Sequence, residues 1–387
     1  MKKEKLSNLN TYLIIALVIV VGVSLYFTLS IPITPKEAAK TEALREVTLT
    51  VLQGCEDCSS LAQAVEVLKK QPTLNITNVE DVSFEDAKQI ADKYGITKLP
   101  ALLIKGNISN FTLEGITQKE DALVFDQSAP PYYDLAEKRV KGKVALTLIQ
   151  ETGCTECFDM SKIIGQLEEA GIKITSETKL DAKSDEGKAI IAKYKIEKLP
   201  TIVFNKEALE YPVVSEVWQQ VGTTEADGSL VLRFVTPPYL NVSTGKTEGL
   251  VELTYLVDST CADCYNATIF KGLFAQSFNM FFKKEETVDV SSTKGKFLLK
   301  KYGIELLPTA ILSKDAAIYP GLAQSWTQVG MQKEGAFVFT NIPLLGDFFA
   351  QSGAGNFAYK NLTSGEVIGA SSANKTEEAE IAAPAPE

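Results

Sequence analysis

Six cysteines, grouped in three Cys-x-x-Cys pairs, are the residues of this chain best suited to chemistry. The pairs are Cys55/Cys58, Cys154/Cys157 and Cys261/Cys264. A thiolate attacks a disulfide sulfur, so two neighbouring cysteines can take up or release two electrons by opening or closing a disulfide. The chain of 387 residues contains no histidine. This absence excludes His-based catalytic triads and His-containing zinc sites.

The composition narrows the class of protein further. A net charge of −10 argues against a nucleic-acid partner, because phosphate binding requires clustered lysine and arginine. A hydrophobic content of 45% is that of a globular protein, and the length predicts two to three domains.

The sequence around each pair recurs three times. Before each pair, an apolar run rich in β-branched residues predicts a buried strand, at 47–52, 144–149 and 251–257. After each pair, apolar residues at helical spacing predict a helix, and a second helix leads into a Leu-Pro segment. The prolines follow the first cysteine by 45, 46 and 47 residues and open a new apolar run; they are Pro100, Pro200 and Pro308.

This order of strand, Cys-x-x-Cys, two helices and proline-initiated strand resembles the thioredoxin family, in three copies over residues 45–345. The resemblance implies an α/β fold with three tandem thioredoxin-like domains, each a central mixed sheet flanked by helices. In the family a cis peptide bond precedes this proline, which lies against the cysteine pair and helps to bind substrate. The resemblance assigns these properties to Pro100, Pro200 and Pro308.

The resemblance also implies roles for the cysteines. The first cysteine of each pair lies at a helix N-terminus in the family, where the helix dipole and free N–H groups stabilise its thiolate. The attacking residues are then Cys55, Cys154 and Cys261. The resolving residues are Cys58, Cys157 and Cys264. No small cofactor is implied, because the cysteines carry the electrons.

Two features depart from the family pattern. Each pair encloses at least one carboxylate, and a like charge raises the pKa of a thiol. The enclosed dipeptides are Glu56-Asp57, Thr155-Glu156 and Ala262-Asp263. Family members also place a buried acid six residues before the first cysteine. Those positions hold Leu49, Leu148 and Tyr255, so no proton shuttle of that kind is expected.

The pairs also admit other interpretations. In one of them the pairs are inert structural disulfides in an exported protein. However, a bridge across two residues closes a small loop and gains little entropy. Alternatively, two thiolates bind a soft ion such as Cu(I). Trp218 and Trp326, each four residues before a glycine, are interpreted as core residues.

An uncharged apolar run at 13–29 is long enough to span a bilayer as a helix. We expect a transmembrane anchor at 12–31, with residues 1–11 in the cytoplasm, because lysines precede the run. The domains then lie on the extracytoplasmic side of the cell membrane. A cleaved signal peptide is the alternative, but its apolar region is shorter and ends in a small-x-small site.

Asn-x-Ser/Thr sequons are more frequent than the composition predicts and agree with export into a compartment that N-glycosylates. They are Asn75, Asn107, Asn110, Asn241, Asn266, Asn361 and Asn374. Pro-Pro sequences, which neither helices nor sheets continue through, mark the predicted domain junctions. The predicted domains are 45–128, 129–236 and 237–350, and an acidic tail predicted to be disordered covers 351–387.

The favoured interpretation is an enzyme: a membrane-anchored thiol–disulfide oxidoreductase or isomerase acting on the thiols and disulfides of exported proteins. A membrane electron-transfer partner is expected to restore its cysteines. The alternatives are a non-catalytic surface scaffold with the same fold and, less favoured, a Cu(I)-handling protein. The sequon at Asn266, two residues after Cys264, favours the scaffold for the third module because a glycan there would crowd the pair.

Overall fold

The computed structural model describes residues 44–109, 111, 115–352 and 357–369. The predicted cytoplasmic segment and the predicted anchor at 12–31 lie outside these residues. In the described ranges, no helix is both long enough and apolar enough to cross a membrane.

The chain divides into two compact units. The first unit ends at Val235 but leaves out the short segment Cys154–Phe158. The second unit consists of that segment and the chain from Thr236 onward. Two copies of the repeated βαβ sequence belong mainly to the first unit, and the third copy belongs to the second.

The described residues of the first repeat form two helices and eight strands. They are β1 (Arg45–Leu52), α1 (Ala62–Lys69), β2 (Leu74–Val82), α2 (Phe84–Lys93), β3 (Lys98–Leu99), β4 (Ala101–Gly106), β5 (Thr117–Lys119), β6 (Ala122–Phe125), β7 (Tyr132–Asp134) and β8 (Arg139–Lys141). The second repeat follows the same order, with a 3₁₀ turn and two short helices added. Its elements are β9 (Val144–Gln150), α3 (Ser161–Glu169), β10 (Ile174–Asp181), α4 (Asp185–Tyr194), β11 (Lys198–Leu199), β12 (Thr201–Phe204), a 3₁₀ turn (Lys206–Glu210), α5 (Pro212–Ser215), α6 (Trp218–Val221), β13 (Gly222–Thr224), β14 (Leu230–Leu232), β15 (Tyr239–Asn241) and β16 (Lys246–Glu248).

The third repeat has the same succession and one additional helix. Its elements are β17 (Val251–Val257), α7 (Ile269–Phe278), β18 (Phe282–Asp289), α8 (Thr293–Tyr302), β19 (Leu306–Leu307), β20 (Thr309–Leu312), a 3₁₀ turn (Lys314–Ile318), α9 (Leu322–Val329), β21 (Gly330–Lys333), β22 (Ala336–Phe339), α10 (Ile342–Ser352), β23 (Tyr359–Asn361) and β24 (Val367–Ile368).

Each repeat builds a five-stranded mixed sheet of the same topology. The strand orders are β2-β1-β4-β6-β5, β10-β9-β12-β14-β13 and β18-β17-β20-β22-β21. The first two strands of each repeat are parallel. The first strand (β1, β9 or β17) is also antiparallel to the strand that follows the proline. The α/β fold of three similar mixed sheets, predicted from the thioredoxin resemblance, is confirmed in this form.

Alternating side chains of the first strand of the repeat enter two cores on opposite faces of the sheet, as the two-residue period of a strand requires. In the first repeat, Leu49 packs with Val65 of α1 on one face. On the other face, Leu52 packs with Ala87 of α2. The helices therefore flank the sheet as expected.

The second helix of each repeat begins at a serine N-cap. Ser83, Ser184 and Ser292 each accept a hydrogen bond from the backbone N–H three residues later, which satisfies one of the free donors of the first helical turn. The helices α4 and α8 end at residues in the left-handed conformation, Lys195 and Gly303. The second helix has ten residues in each copy.

A thirteen-residue β-hairpin, here called a strap, follows each sheet. Strap 1 is 130–142, strap 2 is 237–249 and strap 3 is 357–369. In each strap the Asp or Asn at the fifth position accepts backbone N–H groups two and three residues ahead, which closes the turn. Strap 1 lies in the range predicted for domain 2, yet β7 pairs with β3 of the first repeat.

Strap 3 corrects the prediction of a disordered tail over 351–387. Residues 357–369 form a hairpin whose strand β23 pairs with β19. Phe357 and Tyr359 pack against the core of the third repeat, and Leu362 packs against its second core. The surrounding polar composition obscures these three apolar side chains in the sequence. The acidic sequence after residue 369 lies outside the described residues.

Candidate active site

Each Cys-x-x-Cys pair forms a disulfide within a tight turn after the first strand of its repeat. The N–H of the second cysteine donates to the carbonyl of the first, at 2.9 Å in the first pair and 3.4 Å in the other two. All six cysteines are half-buried. Each sulfur pair is therefore fixed close to the surface by the backbone of its own turn.

The expectation that the first cysteine lies at a helix N-terminus is wrong. The first helix of each repeat begins four or five residues after the second cysteine, at Ala62, Ser161 and Ile269. The reason is that the backbone N–H following each pair bonds to a strap instead of entering a helix. The dipole of that helix consequently does not act directly on the attacking sulfur.

The contact between each pair and its strap is the same in all three copies. Ser59 N donates to Pro131 O at 2.7 Å, Phe158 N to Pro238 O at 2.7 Å, and Tyr265 N to Ala358 O at 2.8 Å. The donor is always the residue after the second cysteine, and the acceptor is always the second residue of the strap. Each strap is thus held beside its disulfide by a backbone hydrogen bond.

The three prolines predicted from the resemblance follow cis peptide bonds, as expected. Gly54 shows how closely Pro100 approaches the first pair: a Cβ on Gly54 would lie 2.7 Å from Cys58 Cβ and 2.8 Å from Pro100 Cδ. Pro308 lines a pocket of about 200 Å³ together with Cys261 and Cys264. Pro200 lies between β11 and β12 in the first unit.

The charges beside the first pair come from both sides of the site. Asp57, between the two cysteines, forms an ion pair with Lys143 at 2.7 Å. Lys143 directly follows strap 1, so the cation that offsets this carboxylate comes from 86 residues away in the sequence. Because both side chains are well exposed, the pair contributes little to stability. Its effect is to reduce the negative charge next to the sulfurs.

The third pair has a different electrostatic environment. Asp258, three residues before Cys261, is nearly buried and forms an ion pair with Lys360 of strap 3 at 2.7 Å. Lys360 and the Thr260 hydroxyl hold the pKa of Asp258 below its ordinary value. Asp258 also lines the pocket that contains the two cysteines. At the second pair the strap supplies a neutral group instead: the Thr247 hydroxyl lies 3.5 Å from Cys154 Sγ.

Sequence reasoning missed these strap residues and Asp258. The family position for a buried acid is six residues before the cysteine, where Tyr255 is buried and donates to Glu285 instead. A signal was present nearer the pair, since Glu151 and Asp258 both lie three residues before their first cysteine. No local pattern pointed to Lys143, Thr247 or Lys360.

An aspartate at the end of β10 anchors the loop before the second pair. Asp181 accepts the Thr152 N–H at 2.9 Å, the Thr152 hydroxyl and the Lys183 N–H at 2.7 Å. These donors lower the pKa of Asp181 to about 2. In the third repeat Asp289 makes the equivalent bond to Ser259 N at 2.7 Å. Both aspartates therefore hold the chain that leads into a disulfide.

The lowered pKa of Asp181 predicts a pH-dependent contribution to stability. The stabilisation is fully present above the unfolded pKa of 3.8 and is lost as the pH falls through the folded pKa of about 2. Asp181→Asn should therefore lower the urea midpoint of the first unit at pH 7, and the deficit should shrink between pH 4 and pH 2. Thr152→Val, which removes one donor, should reproduce part of the loss at pH 7. A deficit of equal size at pH 7 and pH 2 would contradict this account.

The sequon asparagines fall into two groups. Asn75, Asn107 and Asn266 are exposed. Asn241 and Asn361 are half-buried and use their side-chain oxygens to close the strap turns. Asn110 and Asn374 lie outside the described residues. Glycosylation of these sites stays a prediction.

The residues that the structure describes contain no group of three or more Cys, Asp or Glu side chains arranged to hold a metal ion. No protein-family model matches the chain, and no curated protein matches it.

Among solved structures, the chain is similar to the alkylhydroperoxide reductase AhpF of Enterococcus faecalis, at 17% identity over 42% of this chain and 83% of that chain, with a TM-score of 0.16. Full-length ERdj5 aligns at 9% identity over 72% of this chain and 42% of that chain, with a TM-score of 0.15; the present chain thus spans less than half of ERdj5. The zinc-bound form of human ERp44 aligns at 15% identity over 80% and 87%, with a TM-score of 0.15. TM-scores this low do not support an inference about function.

Proposed function

We propose that this protein is a thiol–disulfide oxidoreductase whose three Cys-x-x-Cys pairs are redox centres. One observation carries the proposal: the same half-buried disulfide turn is built three times, after the first strand of three similar sheets. Each bridge joins residues only three apart. A loop this small gains little chain entropy from closure, so stability is a weak reason to repeat it.

The exchange proceeds in two displacements. A client thiolate attacks Sγ of the first cysteine, for example Cys261, and forms a mixed disulfide while the second cysteine, Cys264, leaves as a thiolate. A second client thiolate then displaces Cys261. The client gains a disulfide, and the pair takes up two electrons and, at neutral pH, protons from water. Reduction of a client disulfide is the reverse sequence, beginning with attack by Cys261.

We further propose that the clients are exported proteins and that residues 12–31 anchor the chain in the cell membrane. Both proposals rest on sequence: the apolar run with lysines only before it, and the frequent sequons. The full-length chain should then remain with the membrane fraction after alkaline extraction. Recovery of a soluble chain that begins near residue 31 would identify a cleaved signal peptide instead.

Two findings favour a second candidate, the non-catalytic scaffold. The attacking cysteines lack the helix terminus that was expected to stabilise their thiolates, and the backbone N–H after each disulfide is bonded to a strap. A scaffold of this kind would use the three sheets only for binding.

Disulfide turnover distinguishes the two candidates. The full chain, kept reduced by dithiothreitol, should accelerate insulin reduction about tenfold or more over dithiothreitol alone. The matched control is the chain with all six cysteines replaced by serine, which should give no acceleration. If the unaltered chain behaves like this control, and also fails to oxidise a reduced peptide, the scaffold is the better account.

A further inference from the structure

We propose that strap 3 occupies the client-binding edge of the Cys261–Cys264 pair, and that an extended polypeptide reacts with this pair by taking the place of the strap. The inference deepens the proposed function and rests on it. It also makes the third pair more accessible to polypeptides than the first, because strap 1 is fixed from two sides and strap 3, among the described residues, from one.

The edge in question is a short strand directly beside the disulfide. Leu306 and Leu307 form β19, and Cys264 Sγ lies 3.9 Å from Leu307 O. In strap 3, Lys360 pairs with Leu307 and Asn361 pairs with Leu306. Tyr265 N, next to the disulfide, donates to Ala358 O. The Tyr265 N–H and the edge of β19, both beside the disulfide, are therefore paired with the strap.

A polypeptide that brings its own thiol to Cys261 needs these same backbone groups. Extended peptides bind exposed sheet edges by main-chain hydrogen bonds, and β19 is such an edge once the strap is absent. While strap 3 is in place, the pocket of about 200 Å³ beside Cys261 and Cys264 admits a small thiol but offers no strand to pair with. The strap therefore discriminates between polypeptide and small-molecule reactants.

Strap 1 is clamped between the first pair and the second repeat. On the first side Pro131 O accepts the Ser59 N–H. On the other side Arg139 pairs with Glu207 at 2.8 Å, and the Tyr132 hydroxyl donates to Glu210 at 2.6 Å. These contacts lie within the first unit. Displacing strap 1 requires all of them to break together.

A tyrosine adds a further clamp to straps 1 and 2. The Tyr211 hydroxyl donates to Gly142 O at 2.8 Å and accepts the Lys173 N–H at 3.0 Å. The Tyr319 hydroxyl donates in the same way to Gly249 O at 2.7 Å. In the described part of the chain, strap 3 has no counterpart of this tyrosine at its final glycine.

In the part of the chain that the structure describes, the hydrogen bonds, ion pair and ring contacts of strap 3 are with its own repeat. Lys360 pairs with Asp258, and Leu362 N donates to Glu305 O at 2.8 Å. The ring of Phe357 stacks on Tyr265 at 4.3 Å. The outer strand β24 has little cover, since Val367 and Ile368 are 38% and 39% exposed. Among these residues strap 3 is held by its own repeat and lacks the second set of contacts that ties strap 1 to a neighbouring repeat.

Hydrogen exchange of the unaltered, oxidised full chain tests the opening directly. The Tyr265 N–H and the Ser59 N–H make equivalent bonds to straps 3 and 1, so their exchange rates report the two opening equilibria. We expect the Tyr265 amide to exchange about tenfold faster or more. Equal rates, or slower exchange at Tyr265, would overturn the proposed order of the straps.

Exchange kinetics test whether the strap blocks polypeptides. The chain with Cys55, Cys58, Cys154 and Cys157 replaced by serine reports on the third pair alone. Its disulfide is reacted separately with a twelve-residue peptide containing one cysteine and with dithiothreitol. Lys360→Met removes the strap ion pair and should raise the ratio of peptide rate to dithiothreitol rate about threefold or more. Lys296→Met, at an exposed position on α8, is the matched control and should leave the ratio unchanged.

Normalising to dithiothreitol separates access from reactivity, because a changed charge beside the sulfurs affects both reactants. An unchanged ratio with measurable dithiothreitol exchange would overturn the strap proposal alone. A pair that reacts with neither reactant faster than an unstructured Cys-x-x-Cys peptide would instead overturn the proposed function. Hydrogen exchange does not depend on redox activity, so the opening of strap 3 remains testable in that case.

Discussion

Cys264→Ser should trap a mixed disulfide between Cys261 and its client, in a chain whose first two pairs are replaced by serine so that Cys261 is the only cysteine left. The second displacement needs the resolving thiolate, and the hydroxyl of serine cannot replace it at neutral pH. Turnover of insulin by this variant should fall about a hundredfold or more. The trapped species is measured by non-reducing electrophoresis and mass spectrometry after alkylation.

The matched control exchanges the two roles. Cys261→Ser leaves Cys264 as the remaining thiol, which is expected to trap far less client, because the family assigns the attack to the first cysteine. Both cysteines are half-buried, so burial alone does not decide between them. Equal trapping by the two variants would contradict the assigned roles, and no trapping by either, with no turnover by the parent chain, would favour the scaffold.

The largest expected effect on stability concerns the two tryptophans. Trp218 and Trp326 are almost fully buried, as their interpretation as core residues predicted. Trp326 contacts three phenylalanine rings, those of Phe274, Phe337 and Phe339. Replacing it with alanine should lower the free energy of unfolding of the second unit by about 4 kcal/mol. The measurement is urea unfolding followed by circular dichroism.

A finer comparison uses phenylalanine at both positions. Trp326 Nε1 donates to Met331 O at 3.1 Å, whereas Trp218 Nε1 is buried without an acceptor among the described residues. Trp326→Phe leaves a carbonyl without its donor, while Trp218→Phe removes an unsatisfied polar group. Trp218→Phe should therefore be less destabilising by about 1–2 kcal/mol. A greater loss at Trp218 would mean that its indole N–H is satisfied by water.

The tryptophans also explain the repeated glycines that follow them by four residues. A Cβ on Gly222 would lie 2.4 Å from the Trp218 ring, and one on Gly330 would lie 2.8 Å from Trp326 Nε1. The glycines thus allow the backbone to pass close to the indole. The spacing of four residues between tryptophan and glycine in the sequence therefore reflects this close packing.

The sequence by itself determined the repeated parts of this protein. Three pairs, three prolines at matched intervals and three strand–helix patterns predicted three similar sheets, and the cis bonds before Pro100, Pro200 and Pro308 followed from the resemblance. These features depend on residues close together in the chain. Hydrophobic period, capping serines and proline positions are local properties, so a sequence records them directly.

Only the tertiary structure decided what surrounds the sulfurs. Lys143 reaches Asp57 across 86 residues, and Lys360 reaches Asp258 across 102. The strap strands have two or three residues each, too few to show a hydrophobic period. Pairing between such short strands is set by backbone hydrogen bonds and by the register of distant segments, which composition and spacing do not encode. For the same reason the backbone N–H after each pair was expected in a helix, whereas in the folded chain it bonds to a strap.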